Sequence, residues 1–159
     1  MDIRLKIEDC NLFCRAGGLI EQDGKYLIMK IDDSKYYHIP GGHIELFEDS
    51  KQAVAREIKE EVGYAVEPKF LFCINENFYI QDDKKFHGIE FYYILSPKDK
   101  IPMKDWDITE NDKGHIHELH FQWVTIEQIK NIDLRPYNVK NLIINNQLST
   151  FNHLIKRDI

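Results

Sequence analysis

Cysteine is scarce: Cys10, Cys14 and Cys73 are the whole supply in 159 residues. An odd number with no Cys-x-x-Cys pair does not make a disulfide framework, so reduced thiols and a cytoplasmic location are expected. Long apolar runs are missing too. No stretch approaches the ~20 residues that a membrane-spanning helix requires. The opening residues, MDIRLKIEDC, are charged and lack the apolar core of a signal peptide. Basic charge is short: 21 Lys and Arg against 27 Asp and Glu leave a net charge of −6. That balance argues against nucleic acid and against an anionic membrane surface as partners. A small anionic ligand stays open, because bound cations can reverse the sign of a site locally. No repeat, linker or low-complexity tract is visible. A hydrophobic content of 43% is enough for a packed core, and one domain over residues 1–159 is expected.

Acidic residues, by contrast, are concentrated. Residues 42–64 read GHIELFEDSKQAVAREIKEEVGY and hold Glu45, Glu48, Asp49, Glu57, Glu60 and Glu61. Glu57, Glu60 and Glu61 stand at i, i+3 and i+4, which on a helix puts their carboxylates on one face within a turn. Asp49 and Gln52 have capping-box spacing and mark the helix start. Ala53, Val54, Ile58 and Val62 form an apolar stripe that would seat the helix on a core. Gly63 is suited to end it. Pro40, Gly41 and Gly42 precede it and let backbone approach a ligand closely. A solvated acidic face is the plain reading of such a helix. A hard cation held by the carboxylates is the functional one.

The stretch resembles the Nudix box, G-x5-E-x7-R-E-U-x-E-E-x-G-U, where U is a bulky aliphatic residue. Gly42, Glu48, Arg56, Glu57, Ile58, Glu60, Glu61 and Gly63 match at the family spacing. Tyr64 departs at the last position, where the pattern asks only for packing. The resemblance implies an α/β fold, an α/β/α sandwich with a mixed sheet, over a single domain. It implies a hydrolase dependent on Mg²⁺, with Mn²⁺ able to substitute. Glu57 and Glu61 would then be direct metal ligands with Glu60 beside them. The Gly42 carbonyl and Glu48 would complete the set. Arg56 would orient a carboxylate with its planar fork, or serve as a structural ion pair. Homodimers are common in the family, so a homodimer is possible.

The residues around the box support the same architecture. Residues 12–20 and 26–31 read as strands joined by a turn at Asp23-Gly24. Strands are expected at 69–75, 86–95 and 118–124. Residues 96–117, with Pro97, Pro102 and Gly114, read as a long loop. Thr125 caps a short helix. The apolar residues of 139–144 and 151–155 read as a C-terminal helix, broken near Asn145-Asn146.

Hydrolysis of a pyrophosphate link needs cations to offset the charge of its oxygens and a base for the attacking water. Glu57 is one candidate base. Glu118, which follows the long loop, is a second, and Glu90 a third. Arg15, next to Ala16-Gly17-Gly18, is a candidate for a substrate phosphate. Tyr79 is a candidate base-stacking residue, with Tyr36, Tyr37 and Phe78 weighed beside it. His115, His117 and His120 read as a polar edge, not as metal ligands. The activity that the Nudix resemblance implies is cleavage of a nucleoside diphosphate linked to another group, a nucleoside triphosphate or dinucleoside polyphosphate first. Nudix members that cleave ADP-ribose often carry a proline about fifteen residues past the box, so by this resemblance the lack of proline between Pro68 and Pro97 disfavours ADP-ribose. The alternatives are a nucleotide-sensing module without turnover and a structural metal site on an unrelated fold.

Overall fold

The computed structural model describes residues 1–112 and 114–159. Among these residues eleven strands form one mixed sheet. Its backbone is β2 (Cys10–Gln22), flanked by β3 (Lys25–Ile31) through an antiparallel hairpin and by β7 (Lys84–Pro97) in parallel. The hairpin turn falls at Asp23 and Gly24, both at positive φ, as the Asp-Gly pair predicts. β6 (Val66–Gln81) pairs with β7 along its whole length, turning at Asp82 and Asp83. β1 (Arg4–Ile7) and β5 (Gly41–His43) add to β2. β4 (Tyr37–His38) adds to β3, and β10 (Leu134–Arg135) to β4.

Side chains alternate between two faces along the central strands. Ile20, Leu27 and Met29 face one way and pack with Ala53, Val54 and Ile58 of helix α1 (Ser50–Glu61). Leu19, Tyr26 and Ile28 face the other way and pack with Ile129 of α2 (Ile126–Asn131) and Val139, Leu142 and Ile143 of α3 (Tyr137–Ile144). The result is the α/β/α sandwich with a mixed sheet that the residues imply. Each fully buried aliphatic side chain contributes on the order of 1.5–3 kcal/mol to holding the layers together.

Two expected segments take a different form. Within the stretch read as a loop, Trp106–Asp112 is a strand, β8, paired antiparallel with β9 (His115–Val124). Trp106 and Ile108 turn inward against the α1-side core at a spacing of two, and the flanking prolines and glycine mask that short pattern. The end of the chain is not helical. Asn152–Asp158 is strand β11, parallel to β6. Phe151, Leu154 and Ile155 suit a helix by their spacing, but the open edge of β6 supplies a row of hydrogen-bond partners that decides for a strand. No helix among the described residues is long and apolar enough to cross a membrane.

Candidate active site

Helix α1 is set by its own ends. The Asp49 side chain accepts from Gln52 N at 2.8 Å, and Gln52 Oε1 accepts from Asp49 N at 3.2 Å. Gly63 closes the helix at φ +87°. These caps fix the rotation at which the acids emerge, because the apolar stripe must point at the sheet. The acid row then runs beside β5, whose glycines allow the closest approach. A Cβ on Gly42 would sit 2.2 Å from Glu57 Oε2, so any larger residue there would displace that carboxylate.

Arg56 is the hub of the outer acids. Its Nε and Nη2 donate to Glu48 at 2.8 and 2.9 Å, a bidentate fork. Its Nη1 donates to Glu57 at 2.7 Å and to Glu60 at 3.3 Å, and its Nη2 also donates to the His43 carbonyl at 3.0 Å. Hydrogen bonding to Arg56 holds the Glu48 carboxyl below the usual range. Glu57 goes the other way, raised by burial despite the arginine. Glu61 is the inner acid. It is 7% exposed and accepts from Gly41 N at 3.1 Å. Burial pushes its carboxyl up to about 8, and the charges of Glu57 and Glu110 add to the rise.

Among the described residues no three acids, imidazoles or thiols converge as a ready cage. The reason is visible in the bonds above: Glu48, Glu57 and Glu60 all lean on Arg56. The donor set nevertheless fits a hard divalent cation. It consists of carboxylate oxygens, and the innermost, on Glu61, is buried with no cationic partner within ion-pair distance among the described residues. Glu57, Glu60 and Glu61 could hold such an ion with the Gly42 carbonyl and with Glu48 at the edge.

The other sequence candidates divide. Arg15 and Tyr79 line one cavity of about 780 Å³ on the α3 side of β2, β6 and β7. Arg15 Nη2 donates to the carbonyls of Ile39 and Gly41 at 3.1 and 3.0 Å, so the guanidinium is tied to the same loop that carries Gly42. Its charge acts on Glu57 and Glu61 as well as on Tyr79, which places it between the acids and the cavity. Tyr79 stacks on Phe86 with centroids 4.8 Å apart and planes 5° apart. Tyr36 lines the cavity too, with the Arg135 guanidinium 4.4 Å from its ring. Glu90 lies in the cavity wall and is buried, held by Asn75, Asn77 and Tyr92. Phe78 instead stacks on His87, and Tyr37 packs into the α2–α3 core. His117 and His120 are bound to Asp32 and Asp107, as befits a polar edge.

Glu118 is not brought to the acid row. It alternates along β9 with Leu119, whose side chain packs on the α1 side, so Glu118 points to the opposite face and is exposed. Glu110 stands nearer. It follows Trp106 and Ile108 at a spacing of two on β8, so it shares their α1-side face. Its carboxyl is raised by burial, then by Asp112, and Glu60 adds to the rise. In the sequence, residues 96–117 look like a loop, which hides Glu110 as a candidate. The alternation Trp106, Ile108, Glu110 was the available signal.

A family model described as the NUDIX domain matches residues 15–142, most of the chain. The chain belongs to the Nudix family. A Methanocaldococcus jannaschii protein named ADP-ribose pyrophosphatase is 35% identical over 81 residues, covering 49% of this chain and 47% of that one. A Streptomyces ambofaciens MutT-like protein is 37% identical over 62 residues, covering 39% of this chain and 40% of that one. The matched region thus spans about half the length of these curated relatives or less. Among solved structures, a Nudix hydrolase from Nitrosomonas europaea is 22% identical with a TM-score of 0.59, over 87% of this chain and 91% of that one. A Streptococcus suis ADP-ribose pyrophosphatase is 15% identical with a TM-score of 0.57, over 91% and 98%. At these identities the structures establish the Nudix fold. The box helix of this Nudix chain is therefore part of a known fold.

Proposed function

We infer that residues 1–159 act as one Nudix hydrolase unit that cleaves a pyrophosphate bond in a nucleoside diphosphate linked to another group. The observation that carries this is the intact acid row of α1 set against the Gly41-Gly42 loop, with Arg15 joining it to a cavity large enough for a nucleoside. A bound Mg²⁺ or Mn²⁺ would supply charge neutralisation at the phosphoryl oxygens. Glu57, Glu60 and Glu61, with the Gly42 carbonyl and Glu48, would hold it. Arg56 keeps Glu48 and Glu57 in place through its fork. Arg15 orients the phosphate chain from the cavity side.

Water attacks one phosphorus, the bridging P–O bond breaks, and the bridging oxygen leaves with the departing phosphate. The attacking water gives its proton to a carboxylate. Glu110 is the best-placed base among the later strands, since its acidity is already weakened by burial. E110Q should lower kcat by about 10²-fold or more with little change in KM. E118Q should leave both within about twofold. Equal effects of the two substitutions would remove Glu110 from this role. Glu57 would then be the remaining candidate base.

The substrate class is tested by product chromatography with Mg²⁺ and then Mn²⁺. The panel holds nucleoside triphosphates, dinucleoside polyphosphates, nucleotide sugars and ADP-ribose. Nucleoside triphosphates and dinucleoside polyphosphates head our reading. The name of the M. jannaschii relative brings ADP-ribose back beside them, against the proline argument. Turnover of one class that EDTA abolishes supports the hydrolase. Metal binding with no turnover across the panel would favour a sensing module instead.

A further inference from the structure

We propose that the wall of the cavity formed by Asn77 and Glu90 reads the amino group of a nucleobase, so that amine-bearing bases are preferred. This rests on the nucleotide-hydrolase reading above and adds the choice of base to it.

Glu90 organises this wall. A buried carboxylate only accepts hydrogen bonds, and it dictates the direction of every amide around it. Glu90 Oε2 accepts from Asn75 Nδ2 at 2.8 Å and from the Tyr92 hydroxyl at 3.0 Å, and Oε1 accepts from Asn77 Nδ2 at 3.1 Å. Both asparagines must therefore turn their oxygens away from it. For Asn75 the exposed need is met: its Oδ1 accepts from Asn138 Nδ2 at 2.6 Å. Asn138 is oriented in turn, because its Oδ1 accepts from Val139 N at 3.0 Å. For Asn77 it is not met. Asn77 is 8% exposed, and its Oδ1 is buried with no hydrogen-bond partner among the described residues. Flipping the amide does not help, since it would set two acceptors face to face at Glu90.

Buried polar atoms are nearly always paired, so this unmet acceptor calls for a donor. Both Asn77 and Glu90 line the cavity. Of about four acceptor positions on the Glu90 carboxylate, three are used. The unmet acceptor of Asn77 thus neighbours a carboxylate that has a position to spare. The walls suit a flat ring: Tyr79, backed by Phe86, and Tyr36, backed by Arg135, line the same space. A base entering beside these rings would thus meet acceptors, which an exocyclic amine satisfies and a carbonyl opposes.

The test compares matched pairs that differ in the amine. These are GTP with ITP, CTP with UTP, and ADP-ribose with its inosine counterpart. In the base class turned over best, kcat/KM for the amine-bearing member should exceed that of its partner by about tenfold or more. N77L should bring that ratio close to one, with N77S as a milder second variant and the melting curve as the check on folding. Calorimetric binding of AMP, IMP, GMP, CMP and UMP without divalent cation reads the same preference independently of turnover.

Equal values within every pair, in turnover and in binding, would overturn the proposal and point to a bound water as the partner of Asn77. So would a preference that survives in N77L. Turnover without an amine preference strikes the base reading and leaves the hydrolase standing. An amine preference in binding with no turnover strikes the hydrolase and leaves the base reading standing.

Discussion

E61Q is expected to lower kcat for pyrophosphate cleavage by about 10²–10³-fold or more while the metal-free protein melts no lower than the native chain. The two halves of that result come from one fact. Glu61 is buried on α1, accepts a hydrogen bond from Gly41 N, and has its carboxyl pushed up to about 8. A buried charge of this kind disfavours the folded state unless a cation accompanies it. Glutamine keeps the shape and one acceptor oxygen for Gly41 N, but removes the charge. Stability is then retained or raised, and the site for a cation is weakened. E57Q should behave similarly in activity. It is tied to Arg56 at 2.7 Å, so the loss of that ion pair should lower its melting point relative to E61Q. The measurements are steady-state kinetics with Mg²⁺ and melting curves in EDTA. Near-native activity in both variants would remove these glutamates from the metal set. Joint loss of activity and fold in E61Q would make Glu61 a structural residue.

G41A should be the most damaging single methyl group in the box region. Gly41 sits at φ +147°, and an added Cβ would lie 2.2 Å from the Ala16 carbonyl oxygen and 2.5 Å from Gly17 Cα. Those neighbours are backbone of β2, the strand on which the sheet is built, and cannot rotate away. We expect a cost of about 3 kcal/mol or more, which for a chain of this size is a fall in Tm of about 6–12 °C. Activity should fall as well, because Gly41 N donates to Glu61 and the Gly41 carbonyl accepts from Arg15. G63A is the comparison. Gly63 also has positive φ, at +87°, but a Cβ there meets nothing within 4 Å. Its cost should be about 1 kcal/mol, from the backbone conformation alone. Thermal melts of the two variants separate a steric role from a conformational one. Equal shifts would refute the claim that β5 is pressed against β2 at Gly41.

The amino-acid sequence by itself determined the helix of the box, because everything that defines that helix is local. Asp49 and Gln52 cap it, the stripe from Ala53 to Val62 orients it, and Gly63 ends it, all within fifteen residues of one another. The same holds for the Asp23-Gly24 hairpin and for the two-sided alternation of β2 and β3, so the layered architecture was legible too. Tertiary structure decided the rest. Asn152–Asp158 became a strand because β6 presented an open edge beside it, a fact no window of the C-terminal sequence contains. Trp106–Asp112 became a strand because β9 was there to pair with it. That pairing turned Glu110 toward the acid row, while alternation along β9 turned Glu118 away. The cavity was likewise hidden: Arg15, Tyr36, Asn77, Tyr79 and Glu90 come from three strands and the loop before β4, and meet only once the sheet is assembled. Short-range hydrogen bonds and periodicity can be read along a chain. Which face of which strand meets a given side chain depends on register, and register is fixed only between partners distant in sequence.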